Sequence, residues 1–478
     1  MVNRARPISR LGIIAVRRPL LIALPAILGA AVYGLWWSRA QYVPITNSVV
    51  LITLDTTRAD RLPAYGYMGA SMPHLDRLAR EGIVFDRAIS VAPLTLPAHS
   101  SLFTGLYPPR HGVRDNASPA LAAQHITLAE LFQAQGFRTA AVVGSVVLDP
   151  DRGLAQGFER YGGVRAQDAR DPARRQRRAD QVVDDALQWL DGVQGRFFLW
   201  THLYDPHRPY DPPEPFRSVS DPYVGEIAFA DSQIGRLLVA LERRGLLDET
   251  LVVVVGDHGE SLGEHGERDH GLTLYESVLR VPLIIRAPGF RAGRIGSVVR
   301  LVDLMPTVLD LVDITGPHVD GVSLTGLMSG KGPDLDLEAY AESLYRPRFG
   351  ATPLRTLREA RFKVIEAPRP ELYDLARDPF ETTNLYDQQR PLADVMIRRL
   401  HRMASMREEV DASTQLPAQA PWDLRARLSA LGYVGTGTGN MGGRSNPPDV
   451  LRTRSRHHLC RHRGARSAGD GVSCHAGR

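Results

Sequence analysis

The sequence predicts an α/β fold in which a doubly wound, largely parallel sheet precedes a small C-terminal α+β subdomain. Two continuous apolar runs rich in β-branched residues, SVVLITL at Ser48–Leu54 and LVVVV at 251–255, are typical of strands buried on both faces of a parallel sheet. Segments with helical periodicity alternate with such strands over most of the chain, which favours βα units. Beyond residue 337 the apolar runs shorten, which indicates a separate antiparallel sheet.

The same patterns predict the order of elements. Apolar runs predict strands at 48–54, 139–144, 196–202 and 251–255, and amphipathic spacing predicts helices at 72–81, 126–135, 180–190 and 227–243. The C-terminal part is expected to hold strand-like segments at 356–365 and 371–375 and a helix at 391–407. Ligands of open α/β sheets bind outside the carboxyl ends of the strands, so the residues that follow these strands are the first candidates for a site.

Changes of composition predict four regions. They are a basic segment with a membrane anchor at 1–45, a catalytic core at 46–335, a C-terminal subdomain at 336–435 and a basic, disordered tail at 436–478. Residues 19–37 form an uncharged apolar run about long enough to cross a bilayer as a helix, and only positive charges precede it. This arrangement predicts a single-pass membrane protein whose catalytic region lies outside the cytoplasm, on the periplasmic side. A cleaved signal peptide is the alternative, because small residues flank Arg39 at the end of the run.

The charge distribution argues against a nucleic-acid partner. The net charge is +5, but arginines before residue 19 contribute +5 and the segment from Arg444 onward contributes +6, so the intervening chain carries −6. The basic character therefore belongs to the two ends and not to a binding face of the folded core. Cys460 and Cys474 are the only cysteines and both lie in the tail, so the predicted core has no disulfide.

Acidic and histidine residues follow two of the predicted strands. Asp55 comes directly after the strand at 48–54, and Asp257 and His258 come directly after the strand at 251–255, with His270 shortly beyond. An isolated Asp at such a position is more often a helix cap, so Asp55 alone predicts little. Adjacent Asp and His residues in a strand-end turn can bind one divalent ion, and the neighbouring glycines permit a tight path. The segment from Asp257 onward therefore predicts a metal site.

A hydroxyl and a further polar group complete the candidates. Thr95 precedes Pro97 by two residues at an expected helix start, where backbone N–H groups would favour an anionic ester. A helix cap is the simpler interpretation of Thr95 from its local sequence. His202, Asp205 and His207 lie at or just beyond the strand at 196–202, and the adjacent prolines could direct His207 inward.

Six segments resemble, in order, those of the sulfatase family of the alkaline phosphatase superfamily. They are LDTTRAD at 54–60, TLPAHSSLFTGLYPPRHG at 95–112, GFERYGG at 157–163, DHGESLGEH at 257–265, LYESVLRVPLII at 274–285 and ELYDLARDPFETTNL at 371–385. The resemblance runs from about residue 49 to residue 387 and implies an alkaline phosphatase-like α/β fold. It also implies a metal-dependent enzyme acting on an ester, although the family spans several reactions.

Four features depart from the pattern of sulfatases proper. Thr95 stands where they have a Cys or Ser that is oxidised to formylglycine, and His99 stands where they have Arg. The segment at 144–149 lacks the Lys and His of their sulfate-binding motif, and Thr56 replaces the second Asp that they tend to have. Because oxidised threonine would be a ketone and not that aldehyde, ordinary formylglycine chemistry is not expected.

Threonine nucleophiles occur in the nucleotide pyrophosphatase/phosphodiesterases and in the lipid A phosphoethanolamine transferases, and the transferases also resemble this chain at DHGESLGE. By this resemblance one ion is bound by Asp55, Thr95, Asp257 and His258, and His207 and His270 bind or approach a second. The expected catalytic residues are Thr95, His207 and His270, and the expected substrate-binding residues are His99, Arg58 and Asp205. Histidine ligands favour Zn or Mn as the divalent metal, with Ca or Mg as alternatives.

The predicted function is metal-dependent hydrolysis of an anionic ester, with a phosphoester favoured, through a covalent intermediate on Thr95. Three alternatives stay open. The first is a transferase that moves a phospho-headgroup onto an envelope lipid or glycan, the second is a sulfuric ester hydrolase that works without formylglycine, and the third is an anchored scaffold without catalysis.

Overall fold

The computed structural model describes residues 48–164, 176–332, 335, 337–345 and 352–405. The predicted membrane anchor and the predicted basic tail lie outside the described residues, and the proposed boundaries between the four regions stay predictions. Within the described ranges, no helix combines the length and the apolar character needed to cross a membrane.

Thirteen strands and ten α-helices are found in the described part of the chain. The strands are β1 Ser48–Leu54, β2 Ile83–Ile89, β3 Arg138–Val143, β4 Arg160–Gly162, β5 Phe197–Leu203, β6 Thr250–Gly256, β7 Arg280–Val281, β8 Leu283–Arg286, β9 Gly293–Arg300, β10 Ala339–Ser343, β11 Leu354–Arg358, β12 Phe362–Glu366 and β13 Glu371–Asp374. The helices are α1 Pro73–Glu81, α2 Thr95–Thr104, α3 Pro108–His111, α4 Leu128–Ala134, α5 Ala179–Gly192, α6 Pro222–Arg243, α7 Glu276–Leu279, α8 Leu304–Leu311, α9 Thr325–Met328 and α10 Arg390–Ala404.

Strands β1 to β9 form one large mixed sheet whose parallel part is central to the site. The strand order is β4-β3-β5-β1-β6-β8-β2-β7, and β9 also pairs with β2. Strands β4, β3, β5, β1 and β6 run parallel to one another, whereas β8 is antiparallel to β6. Strands β10 to β13 form a separate antiparallel sheet. This architecture confirms the predicted α/β fold with a small C-terminal α+β part.

Helices cover both faces of the large sheet. Along β1, Val49 and Leu51 belong to one apolar cluster, whereas Val50 and Ile52 belong to another, because successive side chains of a strand point to opposite faces. The first cluster packs against α2, α4 and α8, and the second packs against α1, α5 and α6. Burial on both faces explains why β1 and β6 are apolar at almost every position.

The observed elements differ from the predicted ones at several points. Helix α6 begins at Pro222, five residues before the predicted start, because Pro222 occupies its first turn and the Asp221 side chain accepts a hydrogen bond from the Tyr223 amide. The segment predicted as one strand-like piece at 356–365 is an antiparallel pair, β11 and β12. Strand β2 and strands β7 to β9, which extend the sheet beyond β6, were not expected from the sequence.

Candidate metal and catalytic site

The candidate residues lie at one edge of the sheet, where β1, β5 and β6 end. The Asp55 amide donates to Leu203 O (3.0 Å), and the Asp257 amide donates to Leu54 O (3.1 Å). The parallel ladder therefore continues one residue beyond the strands and brings Asp55 and Asp257 side by side. This is the edge at which the sequence predicted chemistry.

Asp55 and Asp257 form a fully buried pair of carboxylates. Oδ1 of Asp257 accepts hydrogen bonds from the amides of Thr56 (3.1 Å) and His258 (2.7 Å). Among the described residues, no hydrogen-bond partner reaches either oxygen of Asp55 or Oδ2 of Asp257. A buried carboxylate without a partner is costly, and this donor set of bare oxygens fits a bound cation.

The pKa shifts of the two carboxyl groups also indicate that the pair fits a bound cation. Burial raises the pKa of Asp257 well above its usual value, and the neighbouring Asp55 raises it further. Burial would also raise the pKa of Asp55, but the nearby histidines, His202 first and then His207 and His258, hold it below its usual value. Without a cation, the two groups cannot both ionise at low cost.

His258 supplies a nitrogen donor to the same cluster. Its Nδ1 lies 2.9 Å from Gly259 O, and since a carbonyl only accepts, Nδ1 carries the proton. Its Nε2 lies 3.6 Å from both Asp55 Oδ1 and Asp257 Oδ2. Burial and the nearby His270 lower the pKa of His258 to about 3, so the ring is neutral and suited to bind a metal. Ligand atoms of Asp55, Asp257 and His258 all lie within 4.8 Å of one another.

Thr95 is the first residue of α2 and reaches this cluster. Its Oγ1 lies 3.3 Å from Nε2 of His258, and the residue is fully buried. The following amide, that of Leu96, donates to Asn116 Oδ1 (2.9 Å). The sequence-based expectation that open N–H groups flank Thr95 is therefore wrong for Leu96. Nδ2 of Asn116 is buried and has no hydrogen-bond partner within the described ranges, so it is a further polar atom at the start of α2.

His207 and His270 lie beside His258. The ring centroids of His258 and His270 are 4.6 Å apart, and those of His207 and His270 are 5.1 Å apart. Nδ1 of His207 lies 2.8 Å from both Tyr204 OH and Arg208 O. The structure thus brings both predicted catalytic histidines to one side of the cluster, as the loop after β5 and the loop after β6 converge.

Glu260 orients His270. Its Oε1 lies 3.1 Å from His270 Nδ1, and its Oε2 accepts a hydrogen bond from Tyr210 OH (2.8 Å). Asp269 Oδ1 also lies 3.0 Å from His270 Nδ1. Burial would lower the pKa of His270, but Glu260 and Asp269 raise it well above its usual value. The two carboxylates therefore favour the protonated form of His270, with Nδ1 turned toward them.

The three predicted substrate-binding residues make contacts with protein groups. His99 is fully buried, with Nδ1 2.8 Å from Thr95 O and Nε2 3.0 Å from Thr53 Oγ1. Burial lowers the pKa of His99 to about 3, so the ring is neutral.

Arg58 pairs with Asp60 and with Glu264, each at 2.8 Å. Asp205 Oδ2 accepts a hydrogen bond from the Ala179 amide (2.8 Å) at the start of α5. Burial raises the pKa of Asp205 to about 6. The predicted contacts of Arg58, Asp205 and His99 with substrate stay predictions.

Sequence reasoning missed the roles of Glu260, Asn116 and Thr53. Glu260 lies in the segment that the sequence predicts to bind metal. Its position two residues after His258 was the signal that could have indicated its role. Asn116 lies 20 residues from its partner Leu96, and Thr53 lies inside an apolar strand. No local pattern marks either residue, because their partners come from distant parts of the chain.

Two family models match this chain. Residues 47–314 match the family model described as Sulfatase, and residues 263–409 match that of the C-terminal part of N-sulphoglucosamine sulphohydrolase. The chain is 26% identical to an ulvan-active sulfatase of Formosa agariphila, covering 72% of this chain and 78% of that protein. It is 25% identical to human arylsulfatase A, covering 77% and 88%.

Solved structures share the fold. A phosphonate monoester hydrolase of Agrobacterium radiobacter superposes with a TM-score of 0.65 at 23% identity, covering 75% of this chain and 95% of that one. The match to the sulfatase model spans more than half of the chain and includes all the strand ends that build the cluster. The chain therefore belongs to the sulfatase family.

Proposed function

We propose that this protein is a metal-dependent hydrolase that cleaves a phosphoester through a covalent intermediate on Thr95. The observation that carries the proposal is the position of Thr95 Oγ1, 3.3 Å from Nε2 of His258 and beside two buried carboxylates with bare oxygens. A hydroxyl held against metal-binding groups is the arrangement that activates a nucleophile. Membership of the sulfatase family supports ester hydrolysis, and the threonine favours phosphorus over formylglycine-dependent sulfate chemistry.

The residues that would hold the ion are Asp55, Thr95, Asp257 and His258. When bound there, a divalent ion such as Zn or Mn would lower the pKa of the Thr95 hydroxyl and stabilise negative charge on the substrate oxygens. The mixed oxygen and nitrogen donors favour these metals over Ca, which prefers oxygen ligands alone.

The chain's own groups would carry the remaining steps. Thr95 Oγ1 gives its proton to a solvent water and attacks phosphorus, a new P–O bond forms, and the bond to the leaving oxygen breaks. His207 or His270 gives a proton to that oxygen as it leaves. His270 suits this role because Glu260 and Asp269 hold its Nδ1. Water then hydrolyses the phosphothreonine ester and restores Thr95.

Two alternative functions each differ from the proposed one in a single feature of the reaction. Sulfuric ester hydrolysis would place sulfur where phosphorus stands, and several relatives are named sulfatases. A transferase would pass the group from Thr95 to an acceptor hydroxyl, which the DHGESLGE segment favours.

For residues 19–37 we propose a membrane anchor with the catalytic region on the periplasmic side. A reporter fused after residue 50 that is active only in the cytoplasm would rule this out.

Substrate preference tests the proposed function. Purified protein, stripped of metal and reloaded with Zn or Mn, is assayed with aryl phosphodiester, aryl phosphomonoester and aryl sulfate substrates, with the Thr95→Ala variant as the matched control. We expect phosphoester turnover that needs both the metal and Thr95. A preference for aryl sulfate would transfer the proposal to sulfuric esters, and one burst of product without turnover would indicate a transferase.

A further inference from the structure

Two exposed arginines lie beside the candidate site, on the side where His207 and His270 are found. Arg208 directly follows His207, and Arg268 precedes His270 by two residues. The histidines are buried, with 7% and 5% of their surfaces exposed, whereas both arginines are exposed. Because the chain changes from buried to exposed within two residues in both loops, the arginine pair, Arg208 and Arg268, belongs to the rim of the site.

A hydrogen bond joins the two loops at this rim. The Arg208 side chain donates from Nη1 to the backbone O of Arg268, 60 positions away in the sequence. His207 Nδ1 in turn lies 2.8 Å from Arg208 O. The loop after β5 is therefore held against the backbone of the loop after β6, and the position of Arg208 is coupled to that of His207.

The arginine pair has no carboxylate partner among the described residues. The bond from Arg208 to a carbonyl uses one of its five N–H donors and leaves its charge intact. Asp269 is the acidic residue next to Arg268, but its Oδ1 accepts from the His270 amide (2.9 Å) and lies 3.0 Å from Nδ1 of the same ring. The rim therefore offers two guanidinium groups that can bind an anion.

We propose that the arginine pair binds a second anionic group of the substrate, carried on its leaving group. The inference rests on the proposed function. Thr95 attacks phosphorus roughly in line with the departing oxygen, and that oxygen lies toward His207 and His270, which would protonate it. The leaving group therefore extends past the two histidines, and the rim that it meets carries Arg208 and Arg268.

The chemistry of guanidinium groups defines the class of substrate. The planar fork of an arginine donates two parallel N–H bonds to a carboxylate, a phosphate or a sulfate, and it stays charged. Two such groups at one rim favour a leaving group that carries one of these anions over a neutral one. The substrate class is therefore a phosphoester with a carboxylate, phosphate or sulfate on its leaving group.

Equilibrium binding of two matched analogues tests this inference without turnover. The probes are para-(carboxymethyl)benzylphosphonate and its neutral amide, para-(carbamoylmethyl)benzylphosphonate, and calorimetry measures their affinities for the full-length, Zn-loaded protein. We expect the wild type to bind the carboxylate at least about 5-fold more tightly than the amide. This preference should shrink in about 1 M salt, since exposed charges are screened there.

Arginine variants show which residues produce the preference. The double variant Arg208→Gln, Arg268→Gln should abolish it, and each single variant should lower it. Arg208→Lys keeps the charge but lacks the fork, so it should retain part of the preference. The matched control is Arg196→Gln, which should keep all of it. Arg196 is exposed, also donates to a backbone carbonyl (Gln135 O, 2.7 Å), and lies at the opposite end of β5.

The outcomes separate this inference from the proposed function. Equal affinity of the wild type for both analogues, or no binding of either, would overturn the inference. An equal loss of affinity for both analogues in Arg208→Gln would also overturn it, because Arg208 would then only hold the two loops together. A preference that the double variant abolishes, in a protein without phosphoesterase activity, would support the anion site and refute the hydrolase. Thr95-dependent turnover without any carboxylate preference would support the hydrolase and refute the anion site.

Discussion

Thr95 Oγ1 and His258 Nε2 lie 3.3 Å apart, although 163 positions separate the two residues in the chain. The contact joins Thr95, the first residue of α2, to His258, which lies two residues beyond the end of β6. It places a hydroxyl, a neutral imidazole and two carboxylates around one point. The proposed chemistry depends on this contact, and the first prediction addresses it.

Removal of the Thr95 hydroxyl should abolish turnover. We expect Thr95→Ala to lower kcat by at least about 10³-fold, because the covalent step has no nucleophile. Thr95→Ser keeps the hydroxyl and should retain a measurable fraction of the activity. Intact-mass analysis of quenched reactions should detect a phosphate adduct on the wild type and the Ser variant only. Wild-type turnover in Thr95→Ala would contradict the role of Thr95.

Metal removal should destabilise the protein through the buried carboxylates. In EDTA, Asp257→Asn should be more stable than the wild type, by about 1–3 kcal/mol in the free energy of unfolding, because it removes one of two adjacent buried acids. With Zn or Mn present, the order should reverse, since only the wild type keeps the full ligand set. Thermal unfolding of both proteins under both conditions measures this. If metal does not change the thermal unfolding of the wild type, the proposed metal site is wrong.

Glu260 should set the alkaline limit of activity. Glu260 raises the pKa of His270, so a required His270 cation is present below that pKa and is lost as the pH rises through it. In Glu260→Gln the pKa of His270 falls, and the alkaline limb of the kcat profile should move to lower pH. The profile is recorded with a substrate whose leaving group needs a proton. An aryl ester with a very acidic leaving group is the control and should show a smaller change. An unshifted alkaline limb would exclude His270 as the acid.

A buried ion-pair cluster should stabilise the junction between the core and the C-terminal sheet. Lys363 on β12 pairs with Glu276 at the start of α7 (3.2 Å) and with Glu381 (2.8 Å), and its side chain is fully buried. Lys363→Met should cost about 3–5 kcal/mol in the free energy of unfolding, because it leaves buried carboxylates without a cation. Adding Glu381→Gln should recover part of that loss, as urea unfolding can measure. Equal stability of Lys363→Met and wild type would refute the cluster's role.

The same cluster predicts an acid dependence. Burial would raise the pKa of Glu276, but Arg358 and Lys363 lower it to about 2. A carboxyl whose folded pKa lies below its usual 4.5 contributes stability above that value and loses it as the pH falls toward 2. The free energy of unfolding of the wild type should therefore fall over this window. Glu276→Gln should show a shallower dependence, and parallel curves would contradict the assignment.

The strands and the acidic residues at their ends were predictable because their signals are local. The apolar runs of β1 and β6 mark strands buried on both faces, and Asp55, Asp257 and His258 follow at the edge where parallel strands end. Sequence alone also placed His207 and His270 near the site. It did not identify Glu260 as the partner of His270, since one carboxylate in an acidic segment resembles the others until contacts distinguish them.

Chain order and residue type thus determined the class of fold, the sheet edge that carries the candidate site and the candidate ligands. Tertiary structure decided which atoms face one another: Thr95 against His258, Asn116 against Leu96, and His202 between Thr53 and Asp55. The physical reason is that backbone preference and hydrophobic period act over a few residues, whereas side-chain direction depends on strand order and register. Strands β5 and β6 flank β1 only after the sheet has formed, and that arrangement pairs Thr53 with His202 and brings Asp55 beside Asp257.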